Sequence, residues 1–350
     1  MNQQNSHIYA VIMAGGRGER FWPAGRVTRP KQLLQLYSGN TMLEESVLRL
    51  FPLIRAENIL VVTNCAYAET TRQLLPIPAE NIIAEPVPRD TAPCIALSVA
   101  HILRRDPEAV IITLPADHAI RPVKLFHETL QNAIEAADSG ALVTVGITPS
   151  YPATVYGYME LDEKFSPGCR RVRSFKEKPD IIMAQRFFAD GNYRWNSGIF
   201  IWQLAAIRSA FHKFAPGIAG FMEKWAAGED HVENFGECEK ISIDYAIMEK
   251  AENVLAVEAL FQWNDLGSWR ALRSVLPLDE NNNAVSGRVV TVDSANNVLV
   301  CDDGHLLGVI GMSDIAVVKS GNGILVCPLS EEQQVKELVK QLAIEYRDFI

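Results

Sequence analysis

Short apolar runs rich in β-branched residues, Tyr9–Met13, Ile59–Thr63, Val110–Leu114 and Leu142–Val145, punctuate the first part of the chain. Between them lie longer stretches in which apolar positions recur at helical spacing: Thr41–Leu50, Ala66–Leu75, Ala92–Arg104 and Phe126–Ala137. Continuous apolar runs of this length predict strands buried on both faces, and a period near 3.6 predicts helices packed against them. Their alternation predicts an α/β fold with a mainly parallel sheet covered by helices on both faces. Ligands in such folds bind beyond the carboxyl ends of the strands. The loop after Met13 and the segment Pro115-Ala116-Asp117-His118 both leave strands at that edge.

From Tyr151 to Trp202 the pattern changes to strands and turns, including Tyr156-Gly157-Tyr158-Met159 and a Pro167-Gly168 turn, as expected of a substrate-side insertion. Helical patterns return at Ala205–Phe214, Ser242–Lys250 and Ser268–Leu276. The polar run Glu280-Asn281-Asn282-Asn283 then precedes short strand-like runs from Val289 to Val326 with no helical period. A last helix is expected from Ser330, whose spacing to Gln333 fits a capping box, to about Tyr346. These breaks divide the chain into residues 1–280 and a small β-rich domain, 281–350, ending in a helix.

Composition narrows the function classes. With 350 residues, 48% hydrophobic and 21% charged, the chain can bury a large core. A net charge of −9 and the absence of an extended basic face argue against nucleic-acid and anionic-membrane partners. Six scattered cysteines without a C-x-x-C pair, a polar start from Met1 to His7 and no apolar run of spanning length make a cytoplasmic, non-membrane protein the expectation.

Against that acidic background one stretch is basic. Arg17 to Lys31 holds five cations and one carboxylate, a local charge of +4, beside Gly15, Gly16 and Gly18. Glycines let backbone N–H groups approach phosphate oxygens, and arginine and lysine supply the charge a triphosphate requires. The loop is neither a Walker A sequence nor a dinucleotide G-x-G-x-x-G, which leaves Arg20 and Lys31 as the candidate phosphate contacts. Asp117 would project a carboxylate over the sheet edge. Magnesium takes one or two carboxylates together with substrate phosphates, so Asp265 is the candidate second ligand, with an N-cap of the following helix as its alternative role. Glu177-Lys178 and Asn196 offer a carboxylate, an ammonium and an amide of the kind that hold sugar hydroxyls, although ordinary turns and ion pairs use the same groups. The histidines form no metalloprotease motif, and His118 has no identifiable partner that would make it a general base.

Taken together, the segments 14–33, 85–97, 114–120, 156–161, 175–180, 194–202 and 261–269 resemble, in order and spacing, the sugar-nucleotide pyrophosphorylases, specifically the mannose-1-phosphate guanylyltransferases. The resemblance implies a Rossmann-like nucleotidyltransferase domain with a partial left-handed β-helix after Asn281. It implies an enzyme that turns GTP and mannose 1-phosphate into GDP-mannose and pyrophosphate with Mg²⁺. By position, Gly15, Gly16, Gly18, Arg20 and Lys31 would cradle the triphosphate, while Glu85, Arg89, Asp90 and Thr91 would line the nucleoside pocket. Asp117 and Asp265 would hold the metal, and Gly157, Tyr158, Glu177, Lys178 and Asn196 the mannosyl phosphate. The resemblance also implies a homodimer assembled with help from the tail. The chain departs from the family at Ala24-Gly25, where W-P-L-S-R is common, and at Asp90, where the family has an amide. Rival readings are transfer to another sugar 1-phosphate or from another NTP, and a catalytically silent GDP-mannose-binding regulator.

Overall fold

The computed structural model describes residues 6–16, 18–229, 232–302 and 304–350, with only the backbone of Val232 and Glu233. Arg17, counted among the loop cations, lies outside the described residues. Contacts group the chain into two compact units. The first comprises residues 1–15, 47–115 and 120–263; the second comprises 16–46, 116–119 and 264–350.

In the first unit, among the described residues, nine strands form one sheet: β1 (Ile8–Ala14), β2 (Ile59–Asn64), β3 (Ile82–Glu85), β4 (Val110–Pro115), β5 (Leu142–Ile147), β6 (Tyr158–Ser166), β7 (Cys169–Lys176), β8 (Tyr193–Gln203) and β9 (Val254–Glu258). Their spatial order is β3-β2-β1-β4-β8-β5-β9-β7-β6, and β6 also pairs with the start of β8. Only β7 and β8 run against the common direction, so the sheet is mixed but mainly parallel. The central strand β1 is apolar along its length and buried on both faces, the result expected where helices cover both sides. The helix Thr91–Leu103 is almost wholly apolar; ten of its residues are buried, eight of them in the principal core with the helix Pro216–Ala226. The helix Val123–Ala137 is amphipathic, burying Phe126, Leu130, Ala133 and Ala137 at the i, i+4, i+7 and i+11 positions of one stripe. Because β1 and β4 are parallel neighbours, with Met13 beside Pro115, the chain leaves both at the same sheet edge.

The second unit is built on the tail. Strands β10 (Ala284–Ser286), β12 (Val298–Cys301) and β14 (Ile315–Ser320) stack in parallel, Ala284 beside Val298 and Val298 beside Ala316. A parallel pair, β11 (Val289–Val292) and β13 (Leu307–Ile310), forms another face, and β15 (Gly323–Pro328) closes a hairpin on β14. Coils of this kind need buried turns, and two asparagines supply them. Asn283 and Asn297 are fully buried; the Oδ1 of Asn283 accepts from both N–H groups of Asn297, at 3.0 Å each. Asn297 in turn donates to the Met312 carbonyl and accepts from the Ile315 amide, so side chains complete the backbone pairing where the coils bend.

Three helix predictions need correction. The last helix runs Val335–Glu345 after a 3₁₀ turn at Glu332–Gln334, and no side chain caps it, so the Ser330–Gln333 capping box does not form. The pattern at Ser268–Leu276 gives a 3₁₀ helix, Trp269–Ser274. That at Ser242–Lys250 gives a single π turn, Asp244–Met248. In the last two cases too few residues follow one another to propagate an α-helix without a stronger packing face.

Candidate active site

The loop after Gly15, the turn at Asp117 and the segment after Asn264 belong to the second unit and converge on one cavity of about 420 Å³. Its lining includes Gly16, Gly18, Arg20, Lys31, Asp117 and Asp265. The Lys31 ammonium is the hub: it donates to Asp117 Oδ2 at 2.6 Å and to the Asp265 carbonyl at 2.7 Å. Lys31 is itself buried, because Gly18 packs against its stem. A Cβ on Gly18 would meet Lys31 Cβ at 2.6 Å, and its φ of +71° also favours glycine. Gly18 therefore seats Lys31, while Gly15 and Gly16 have open space where a Cβ would stand. Arg20 reaches the Gly267 carbonyl at 3.5 Å.

The two aspartates differ in their surroundings. Burial pushes the Asp117 carboxyl up, but Lys31, then His118, more than reverse that and hold it below its ordinary value. His118 Nε2 stands 4.0 Å from Asp117 Oδ1, which makes Asp117 its neighbour rather than a proton-relay partner at hydrogen-bond distance. Asp265 Oδ1 accepts from the Gly267 amide at 3.1 Å. The 3₁₀ helix begins only after Ser268, so Asp265 is not its cap. Between them Leu266 is fully buried yet holds φ at +44°, a conformation a bulky residue adopts only when its surroundings compel it. Lys336, from the last helix, adds a cation to the lining that sequence reading missed, since nothing distinguishes it from any other charge on a helix surface.

In the first unit the remaining predicted residues fall into two groups. Glu85, at the end of β3, is buried with one carboxylate oxygen unpartnered; burial, opposed by a bond from Cys94 and aided by Asp90, pushes its pKa up to about 7. Asp90 caps the helix Thr91–Leu103 by accepting from the Thr91 amide at 2.8 Å, at φ +70°. Thr91 Oγ1 accepts from the Ile243 amide at 2.8 Å, and Arg89 donates to the Gly236 carbonyl. Because Glu85 binds more protons folded than unfolded between about pH 4.5 and 7, its contribution to stability falls as pH rises through that window. Glu85→Gln should therefore leave the denaturation midpoint nearly unchanged at pH 5 and raise stability at pH 8 by roughly 1–2 kcal/mol. Equal shifts at the two pH values would contradict it.

The second group gathers around Glu177. Lys178 Nζ donates to Glu177 Oε1 at 2.5 Å, and a Cβ on Gly157 would strike Glu177 Oε2 at 2.5 Å, so glycine admits the carboxylate against the strand edge. The Asn196 amide takes Thr144 Oγ1 at 3.0 Å on its oxygen and gives a bond to Asp244 Oδ1 at 2.9 Å. Sequence reading missed Asp244, whose place in this cluster depends on the π turn. Tyr158 is fully buried, its ring packed against Phe187, so the structure does not bring it to the pocket surface. Among the described residues the positive-φ non-glycines are Asp90, Lys178 and Leu266 in these loops and Asn or Asp at four tail positions, 282, 293, 296 and 314. Aspartate and asparagine tolerate that region; lysine and leucine do so at a cost, about 1–3 kcal/mol, that is common where function fixes the backbone.

A glycine-backed cationic loop and two aspartates on one cavity, following parallel strands of an α/β sheet, define a nucleotidyltransferase. The nucleotidyl transferase family model matches residues 9–282, and a MannoseP isomerase/GMP-like beta-helix domain matches residues 287–342. The mannose-1-phosphate guanylyltransferase 2 of Escherichia coli O157:H7 is 36% identical over 97% of this chain and 74% of its own length. That of Klebsiella pneumoniae is 36% identical over 96% and 74%. A crystal structure from Thermus thermophilus, described as a mannose-1-phosphate geranyltransferase, superposes with a TM-score of 0.90 at 36% identity, covering 96% of this chain and 99% of that one. The chain belongs to the mannose-1-phosphate guanylyltransferase family. Among the described residues no helix is long and apolar enough to cross a membrane.

Proposed function

We propose that this chain transfers GMP from GTP to mannose 1-phosphate, releasing pyrophosphate and forming GDP-mannose. The observation that carries the reading is the cavity in which Lys31, Arg20, Asp117 and Asp265 meet, in a chain whose relatives are guanylyltransferases. A phosphate oxygen of mannose 1-phosphate attacks the α-phosphorus of GTP, a new P–O bond forms, and the bond to the β-phosphate breaks. The nucleophile is already anionic, so no base need take a proton, in keeping with His118 lying at 4.0 Å from Asp117. Lys31 and Arg20 offset charge as it builds on the leaving pyrophosphate, and the main-chain groups near Gly16 and Gly18 orient its oxygens.

The donor set fits Mg²⁺. Two carboxylates line the cavity, and magnesium takes one or two carboxylates together with substrate phosphates and water. Asp117 and Asp265 would hold the ion, which would supply positive charge to the phosphates. In the first unit, Glu85, Arg89, Asp90 and Thr91 form the guanosine pocket, and Gly157, Tyr158, Glu177, Lys178 and Asn196 take the sugar phosphate. The six free cysteines favour a reducing, cytoplasmic setting.

Incubation of the purified protein with GTP, mannose 1-phosphate and Mg²⁺ should yield GDP-mannose and pyrophosphate in equal amounts. A pyrophosphate-release screen over four NTPs and several hexose 1-phosphates tests the assignment; faster turnover of any other pair overturns it. The tail supports a homodimer. Leu306 and Ile310 are 69% and 71% exposed, and Val290, Val292 and Met312 add exposed apolar surface to the same coils. Ile310→Glu should halve the mass seen by light scattering from twice 38.9 kDa to one chain; an unchanged mass removes this face from the interface.

A further inference from the structure

Asp244 stands in the first unit where the segment after Ile241 is fastened to two loops. The Ala92 amide donates to the Ile241 carbonyl, and the Ile243 amide donates to Thr91 Oγ1, tying the start of the π turn to the loop of Asp90. One residue after Ile243, the Asp244 carboxyl meets Asn196. The orientation of that amide is dictated: its oxygen accepts from Thr144 Oγ1 at 3.0 Å and the Gly198 amide at 3.1 Å, so its nitrogen must be what donates to Asp244 Oδ1. That bond occupies Oδ1 and leaves Oδ2 outside it, in a cluster where Glu177, Lys178 and Asp90 all act on the carboxyl electrostatically. The Lys178 ammonium thus serves two carboxyl groups, Glu177 and Asp244. The π turn supplies the geometry, since the extra residue in a helical turn re-aims side chains and such turns recur at functional sites.

We propose that Asp244 is a specificity-determining residue of the sugar pocket, its outer oxygen taking one ring hydroxyl of the hexose while Asn196 fixes its inner one. This rests on the reading of the Glu177 cluster as the mannosyl-phosphate pocket. A hydroxyl can both donate and accept, so it suits a carboxyl in either protonation state, and a half-buried carboxyl left without it loses a bond, which is how such a site disfavours an epimer. Burial, then Glu177, raise the Asp244 pKa to about 7 against a bond from its own backbone amide and the pull of Lys178, with Asp90 adding to the rise.

The test compares Asp244→Ala and Asp244→Asn with the unaltered chain, using mannose 1-phosphate, glucose 1-phosphate and the single-deoxy mannose 1-phosphates. Asp244→Asn keeps the shape and the Asn196 contact region should Ala fail to fold. The expected result is a ten- to hundredfold loss of kcat/KM for mannose 1-phosphate at unchanged KM for GTP. One deoxy analogue should lose activity in the unaltered chain and lose nothing further in either variant. Equal losses across all analogues, or a rise in the KM for GTP alone, would make Asp244 merely structural and overturn the proposal. If the unaltered chain fails with mannose 1-phosphate altogether, the pocket reading fails and takes this proposal with it; if it succeeds and the variants match it, only the Asp244 role is lost.

Discussion

Lys31→Ala should lower kcat by about 10²–10³-fold, the magnitude seen when one preorganised electrostatic donor is removed from a transition state. The reason lies in what the ammonium holds. It sits buried at 2.6 Å from Asp117 and 2.7 Å from the Asp265 carbonyl, in the cavity proposed for the triphosphate. Removing it takes away the charge that offsets the departing pyrophosphate and leaves Asp117 without the partner that holds its pKa down. Burial then dominates, so the carboxyl takes a proton more readily and becomes a poorer ligand for a cation. Lys31→Met separates charge from packing, because it keeps the stem lying over Gly18 while removing the ammonium, which also stands 5.8 Å from the Phe21 ring centroid. Single-turnover measurements at saturating GTP, mannose 1-phosphate and Mg²⁺ should show equal losses in the two variants. Retained turnover in Lys31→Met would assign the residue to packing and remove it from the chemistry.

The sequence displayed the parts of this site better than their assembly. The strands were legible because β1, β2, β4 and β5 are continuous apolar runs, a pattern that local burial alone produces. That the loop after β1 and the turn after β4 leave at one edge follows from two strands being parallel, and alternation with helices already implied as much. The Lys31–Asp117 contact joins residues 86 positions apart, no local spacing encodes it, and neither the residues nor the family resemblance paired the two. Gly18 shows the same limit from another direction. A glycine in a basic loop reads as a phosphate cradle, yet its tightest neighbour is Lys31.

Asp244 and Lys336 escaped notice for opposite reasons. Asp244 lies in a stretch whose apolar spacing reads as an ordinary helix, and the π turn that re-aims it has no sequence signature. Lys336 looks like any solvated charge until the last helix packs with the 3₁₀ turn Glu19–Phe21. The grouping of residues 16–46 and 116–119 with the tail is likewise a matter of long-range contacts, whereas the polar run at 280–283 is a local composition change that any reading registers.

Trp269→Ala should destabilise the second unit by about 3–5 kcal/mol, the usual cost of emptying a large aromatic site in a close-packed core. Trp269 is fully buried, its ring meets Phe21 edge-on at 5.0 Å, and its indole N–H donates to the Trp22 carbonyl at 3.1 Å. The loss therefore has three sources: transferred apolar surface, the cavity left behind, and a buried carbonyl deprived of its donor. Trp269→Phe retains a ring against Phe21 and should cost less than half as much, which distinguishes the packing contribution from the hydrogen bond. Urea denaturation followed by tryptophan fluorescence and far-ultraviolet dichroism reads both variants. Because Phe21 lies beside Arg20 and lines the cavity, Trp269→Ala should also raise the KM for GTP well below the unfolding midpoint. A loss under about 1 kcal/mol would mean that the indole is not packed as described, and the seat it provides for the loop carrying Arg20 would have to be found elsewhere.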